Sequence, residues 1–185
     1  MTGMDPIRWG ALLAHVNVAR GRLAEVAPRV YPYTLPHVAA APEQLDAAEA
    51  RLGHPLDPLH RELLSYGNGW PHLVFAGDML GTDDLGQGPR WRRAQELLDL
   101  YFDVCDTSEL PARTELYPLF VSQHETDVMV VRRDGPLTAG GHEVMWLSSE
   151  VDGRWPNTLE WLLAVIELIN TSTDYMRRNP LPPPQ

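Results

Sequence analysis

The sequence predicts an α+β domain: a mixed or antiparallel sheet flanked by helices, with an additional helix at the N-terminus. Three observations point there. Apolar residues recur at helical spacing through much of the first hundred positions. Strand-like apolar runs cluster between 116 and 148, and a capped amphipathic helical pattern follows them. Helices first, strands next and a helix last is an α+β order, because it lacks the strict βαβ alternation of parallel sheets. The chain has 185 residues, 44% of them hydrophobic and 22% charged. That supplies one core and excludes broad disorder.

The first helix is expected over 5–27. Asp5 and Pro6 suit its cap and first turn, while Trp9, Leu12, Leu13, Val16, Leu23 and Val26 form its apolar side. Pro28, Pro32, Pro36 and Pro42 make the next stretch an extended connector, since each removes a backbone donor and restricts its predecessor. A second helix over 43–52 places Leu45, Ala48 and Leu52 on one face. A third starts at Asp57 as cap with Pro58 in its first turn, and stops at Gly67-Asn68-Gly69. One strand is expected over 72–80, and a fourth helix over 90–105. Strands follow at 116–122, 127–133 and 142–148; the run Val128-Met129-Val130-Val131 calls for cover on both faces. Asn157 caps the closing helix, whose apolar side holds Leu159, Leu162, Leu163, Ile166 and Ile169. The expected division is a helix and Pro-rich connector over 1–42, a main domain over 43–170, and a loose Pro-rich tail over 171–185.

The formal net charge is −10. Phosphate backbones and anionic lipid repel such a chain, so neither nucleic acid nor a membrane is the expected partner, and a basic protein is. Every one of the 15 basic residues is Arg, which excludes chemistry that needs a lysine. Cys105 is the single cysteine, so no internal disulfide or cysteine-based zinc site forms; its apolar neighbours favour a buried thiol. The N-terminus carries no signal-peptide pattern, and a cytoplasmic location is expected.

The sequence contains no compelling catalytic motif. His124-Glu125-Thr126-Asp127 begins like a zinc-protease motif but lacks its second His. His54, His60 and His72 have no recognised metal spacing. Gly86-Gln87-Gly88 runs into Pro89 and Trp91, unlike a dinucleotide loop. Ser149 has no Gly-x-Ser-x-Gly elbow around it. Trp91 among Arg90, Arg92 and Arg93 fits a helix start packed under the sheet or a cation–π cluster better than a base-stacking site. No enzyme activity, metal or cofactor is expected. The informative polar residues are Glu96, Asp99, Asp103 and Asp106, spaced to share one helical face, with Leu97, Leu100, Tyr101 and Val104 towards the other. Between 96 and 127 stand eight acidic residues and one Arg. This stripe is either a solvated face or a docking surface for a basic partner.

Gln44-Leu45-Asp46-Ala47-Ala48-Glu49-Ala50-Arg51-Leu52-Gly53, then Pro55-Leu56, Leu63-Leu64 and Tyr66-Gly67-Asn68-Gly69, resemble the opening blocks of the SUKH superfamily. Leu80-Gly81-Thr82-Asp83-Asp84-Leu85, Leu116-Tyr117-Pro118-Leu119-Phe120, Met145-Trp146-Leu147 and Thr158-Leu159-Glu160-Trp161-Leu162 resemble its later blocks, in the same order. Asp57-Pro58 stands where the family usually has Pro followed by an acidic residue. The resemblance spans about two thirds of the chain and implies a SUKH-like, helix-flanked sheet with a protein-binding role. Many relatives are immunity proteins that neutralise toxins, often nucleases; others, such as the yeast cell-wall assembly regulator, act as regulatory modules. The remaining alternative is a metal-dependent hydrolase built on His124 and Asp127.

Overall fold

The computed structural model describes residues 8–181. In chain order the elements are α1 (Trp9–Val26), α2 (Pro42–Leu52), α3 (Pro58–Leu64), β1 (Trp70–Val74), β2 (Gly77–Met79), α4 (Gly88–Val104), β3 (Leu116–Ser122), β4 (Val128–Arg132), β5 (Val144–Leu147), β6 (Val151–Trp155) and α5 (Thr158–Arg178). The six strands form one fully antiparallel sheet, paired in sequence order from β1 to β6. This is the α+β class, with helices flanking the sheet.

Side-chain caps start two of the helices as their sequences require. The Asp57 carboxylate accepts from the His60 N–H at 3.0 Å at the head of α3. The Asn157 side-chain oxygen accepts from the Glu160 N–H at 3.0 Å at the head of α5. The Asp5–Pro6 start expected for α1 lies outside the described residues.

All seven residues of β3 are buried, and Val128, Met129, Val130 and Val131 of β4 have no exposed surface. The middle of the sheet is therefore covered on both faces, as its apolar run requires; each such side chain contributes about 1.5–3 kcal/mol of burial. Helix α5 touches both edge strands, β1 and β6, so the sheet curls around it. Helix α4 lies along β3 and β4. Helix α1 packs along α5, and Trp9, Val16 and Leu23 belong to the same hydrophobic core as the sheet. The N-terminal helix thus shares one core with the rest of the fold.

Three elements differ from expectation. The single strand over 72–80 is a hairpin, β1 and β2, turning at Phe75 and Ala76. Both adopt positive φ, 48° and 51°, the conformation of a tight primed turn that Asn-Gly usually signals. Gly77 follows because a Cβ there would fall 2.2 Å from the Phe120 ring. Strand β6 was not expected at all. Its Val-Asp-Gly-Arg-Trp sequence is largely exposed and reads as a turn, and as an edge strand it needs no buried alternation. Finally, the loose tail expected from 171 is helix as far as Arg178, with Thr173 buried and its hydroxyl donating to the Ile169 carbonyl at 2.8 Å.

Candidate partner-binding groove

Two polar clusters stand out, and they differ in where their polar atoms point. The first is buried around Asp57, which is 2% exposed. Besides capping α3, its carboxylate accepts from the His142 N–H at 2.7 Å, the His142 Nδ1–H at 3.1 Å and the Thr158 hydroxyl at 3.3 Å. The Asp57 N–H donates to the Tyr117 Oη at 3.0 Å, and that hydroxyl lies 3.0 Å from His60 Nδ1. The Tyr117 hydroxyl thus bridges the Asp57 N–H and the His60 imidazole, whose Nε2 is buried with no hydrogen-bond partner among the described residues. Burial depresses the His60 pKa to about 4, against the opposing pull of Asp57. Burial likewise pushes the Tyr117 hydroxyl well above its ordinary value, reinforced by the Asp57 charge.

An aspartate beside two histidines and a tyrosine has the composition of a catalytic centre, but its geometry serves the fold. Beyond its own cap, the Asp57 carboxylate ties the head of α3 to the lead-in to β5 and to the head of α5. His60 has no exposed surface, and Tyr117 shows only 2% of its own, where it lines a neighbouring pocket. Nearby, Asn68 and Thr82 exchange two hydrogen bonds, Thr82 N–H to Asn68 Oδ1 at 2.7 Å and Asn68 Nδ2–H to Thr82 Oγ1 at 2.8 Å. A Cβ on Gly81 would fall 2.4 Å from the Asn68 carbonyl oxygen. The Asn-Gly and Gly-Thr segments are two halves of one bolt, to which Arg51 adds bonds to the Thr82 and Leu85 carbonyls.

The second cluster faces outward at the C-terminal end of α4. Glu96, Asp99 and Asp103 are exposed along the helix, as their spacing requires. Asp106 is not on that helix: the chain turns extended at Cys105, and Asp106 accepts from the Ser108 N–H at 2.9 Å in the following loop. That bond holds its carboxyl below the usual range. Asp99 is paired with Arg113 at 2.7 Å, so it contributes less open charge than its neighbours. The buried side of α4 is Ala94, Leu98 and Tyr101. Leu100 and Val104, expected to face inward, are 50% and 70% exposed. The helix is steeper in its rotation than the simple two-sided division allowed, because the sheet meets it along the 94–98–101 line.

Those exposed side chains border a groove of about 230 Å³, lined by Leu97, Leu100, Tyr101, Val104 and Cys105 of the helix end and by Thr126, Ser148 and Ser149 of two sheet turns. Cys105 is half-buried in this wall, not enclosed, with its thiol 3.4 Å from the Ser149 carbonyl. Carboxylates gather round it. The Tyr101 hydroxyl is raised by burial and by Cys105, Asp152, Glu150 and Asp106. Asp127 is raised by burial, and by Asp152 and Glu125, against a stabilising 2.8 Å bond from the Trp146 Nε1–H. None of Asp103, Asp106, Glu125, Asp127, Glu150 and Asp152 has an ion-pair partner among the described residues. The β3–β4 and β5–β6 turns complete this rim, which the helical spacing of the stripe alone did not reveal.

The other sequence candidates lie apart. His124 is exposed on the β3–β4 turn, and Asp127 is held by Trp146. Among the described residues no three His, Cys, Asp or Glu side chains come together as a metal site. Arg90 pairs with buried Asp78 at 3.0 Å, and Arg93 donates to the Ser122 and Glu125 carbonyls at 2.7 and 2.8 Å, so both anchor α4 to the sheet. A concavity of about 540 Å³ between α1 and Tyr33 has Glu25 as its one charged wall residue, and its Tyr33 hydroxyl is spent on the Asn17 side-chain oxygen at 2.7 Å. No described helix is long and apolar enough to cross a membrane. No protein-family model matches the chain, and a search of curated proteins finds no match to it.

Proposed function

We propose that this chain is a non-catalytic, SUKH-type binding module that docks a basic protein at the groove beside the end of α4, as an immunity protein docks its toxin. The observation that carries this reading is the pairing of exposed Leu100 and Val104 with a rim of unpaired carboxylates. Apolar surface supplies affinity when it is buried. The surrounding charge steers a cationic partner, and that partner offsets the repulsion that Asp152 and Glu125 add to burial at Asp127. A Lys- or Arg-rich toxin, such as a nuclease shaped for a polyanion, matches both features. The ordered sequence blocks that resemble the SUKH superfamily support the same class of role.

The test is co-expression with each basic, secreted protein encoded beside this chain in its genome. Rescue of growth together with a complex that survives gel filtration at low salt is expected. The double reversal Asp103→Arg with Asp106→Arg should abolish rescue. Absence of any rescue, or rescue that the reversed variant retains in full, contradicts the reading.

A further inference from the structure

We propose that a second, oppositely charged pocket at the start of α4 binds a small organic phosphate carrying a planar ring, of the size of a nucleoside monophosphate. The pocket encloses about 420 Å³, within the range of small-molecule sites. Arg51, Arg113, Arg133 and His54 line it together with Trp91, and no Asp or Glu does, in a chain whose net charge is −10. Three guanidinium groups sharing one concavity repel one another, and an anion is what relieves that repulsion.

Each arginine is placed but not neutralised inside the pocket. Arg51 donates from Nε to the Leu85 carbonyl at 3.1 Å and from Nη2 to the Thr82 carbonyl. These neutral acceptors fix its plane and leave its charge whole. Arg113 is held by Gln95 and by Asp99, which stands 62% exposed outside the pocket. The Arg133 guanidinium pairs with Asp134 at 2.9 Å on the surface, and such exposed pairs contribute little enough for the side chain to re-aim. The His54 Nδ1–H donates to the Pro55 carbonyl at 2.8 Å, and its ring leans on Tyr117 with centroids 5.3 Å apart.

Converging guanidinium forks suit the several oxygens of a phosphate better than a single carboxylate. Half-buried Trp91 adds a flat apolar wall against which a ring can stack. The same acidity that repels a nucleic-acid strand from the surface spares a ligand small enough to enter this one basic recess. The argument is independent of the groove at the other end of the helix.

Calorimetric titration of the full chain with AMP, inorganic phosphate and adenosine separates the parts. AMP is expected to bind at least about tenfold tighter than either fragment, because each fragment forfeits one set of contacts. Arg133→Gln should weaken AMP about tenfold with the melting temperature unchanged, and Trp91→Leu should weaken AMP while leaving phosphate alone. Arg51→Gln should also weaken AMP; if losing its loop anchor unfolds that variant, Arg133→Gln carries the test. No binding of AMP at millimolar concentration overturns the proposal. So does unchanged affinity in Arg133→Gln, phosphate binding as tightly as AMP, or a short single-stranded oligonucleotide binding more tightly than AMP.

Discussion

The Asp57 cluster and the groove at the end of α4 are both rich in polar groups, yet they solve opposite problems. Around Asp57 the polar atoms turn inward, and the carboxylate's contacts tie three elements together. Around the groove the carboxylates turn outward and unpaired, beside leucine and valine left in water. A polar cluster whose bonds are used up inside the fold has little left to offer a ligand. A cluster with open acceptors next to exposed apolar surface has both affinity and direction to offer. Residue type alone does not separate the two, whereas the direction of the bonds does.

That contrast can be broken by mutation, beginning with the largest effect. Asp57→Ala removes a helix cap and orphans donors on half-buried His142 and buried Thr158, so unfolding in urea should show a loss of about 3–5 kcal/mol. The folded fraction should still bind the groove's partner normally. A comparable loss of partner binding would make the cluster part of the site.

The pH dependence of stability probes the same cluster. His60 titrates near 4 in the folded chain and near 6.5 when unfolded, so the unfolded state takes up the proton first as pH falls. Stability is full above about pH 6.5 and declines towards pH 4, by up to roughly 3 kcal/mol from this group. His60→Leu should flatten that limb of a pH series followed by thermal melts. A wild-type profile that is level between pH 6.5 and 4 would contradict a neutral, buried imidazole.

At the groove the expectation reverses. Leu100→Asp should change stability by no more than about 0.5 kcal/mol, since the side chain is already half in water, while weakening the complex about tenfold or more. Rising salt should slow association by screening the rim. A smaller effect belongs to the hairpin beside it. The Phe75 ring stacks on Trp146 with centroids 5.1 Å apart, and Trp146 in turn holds Asp127. Ala76, at φ 51°, should become more stable by about 0.5–1 kcal/mol as Ala76→Gly, measured by thermal melt, with partner binding unchanged.

Much of the fold was legible because its signals are local. Asp57-Pro58 and Asn157 cap helices by reaching three residues ahead, which spacing alone reveals. Val128-Met129-Val130-Val131 announced a strand covered on both faces, as found. Tyr66-Gly67-Asn68-Gly69 and Leu80-Gly81-Thr82 were visible as ordered blocks, and the structure gives their physical reason: they bolt to each other. The turn at Phe75-Ala76 was missed because neighbouring strands, not turn-forming residues, impose its conformation. Strand β6 was missed because an exposed edge leaves no alternation to read. Of the acidic stripe, Glu96, Asp99 and Asp103 stand where their spacing put them, whereas Asp106 lies beyond the helix end because α4 stops at Val104.

By itself, then, the sequence determined the α+β class, most helix starts and the concentration of negative charge near α4, since each depends on neighbours within a few positions. Only the tertiary structure decided that Asp57 is spent within the fold and that α1 joins the common core. It also decided that two distant turns bring Glu125, Glu150 and Asp152 round Leu100 and Val104, and that arginines 62 residues apart in sequence, Arg51 and Arg113, share one pocket. Those outcomes depend on how a curled antiparallel sheet carries its loops, and no local pattern of residues encodes that geometry.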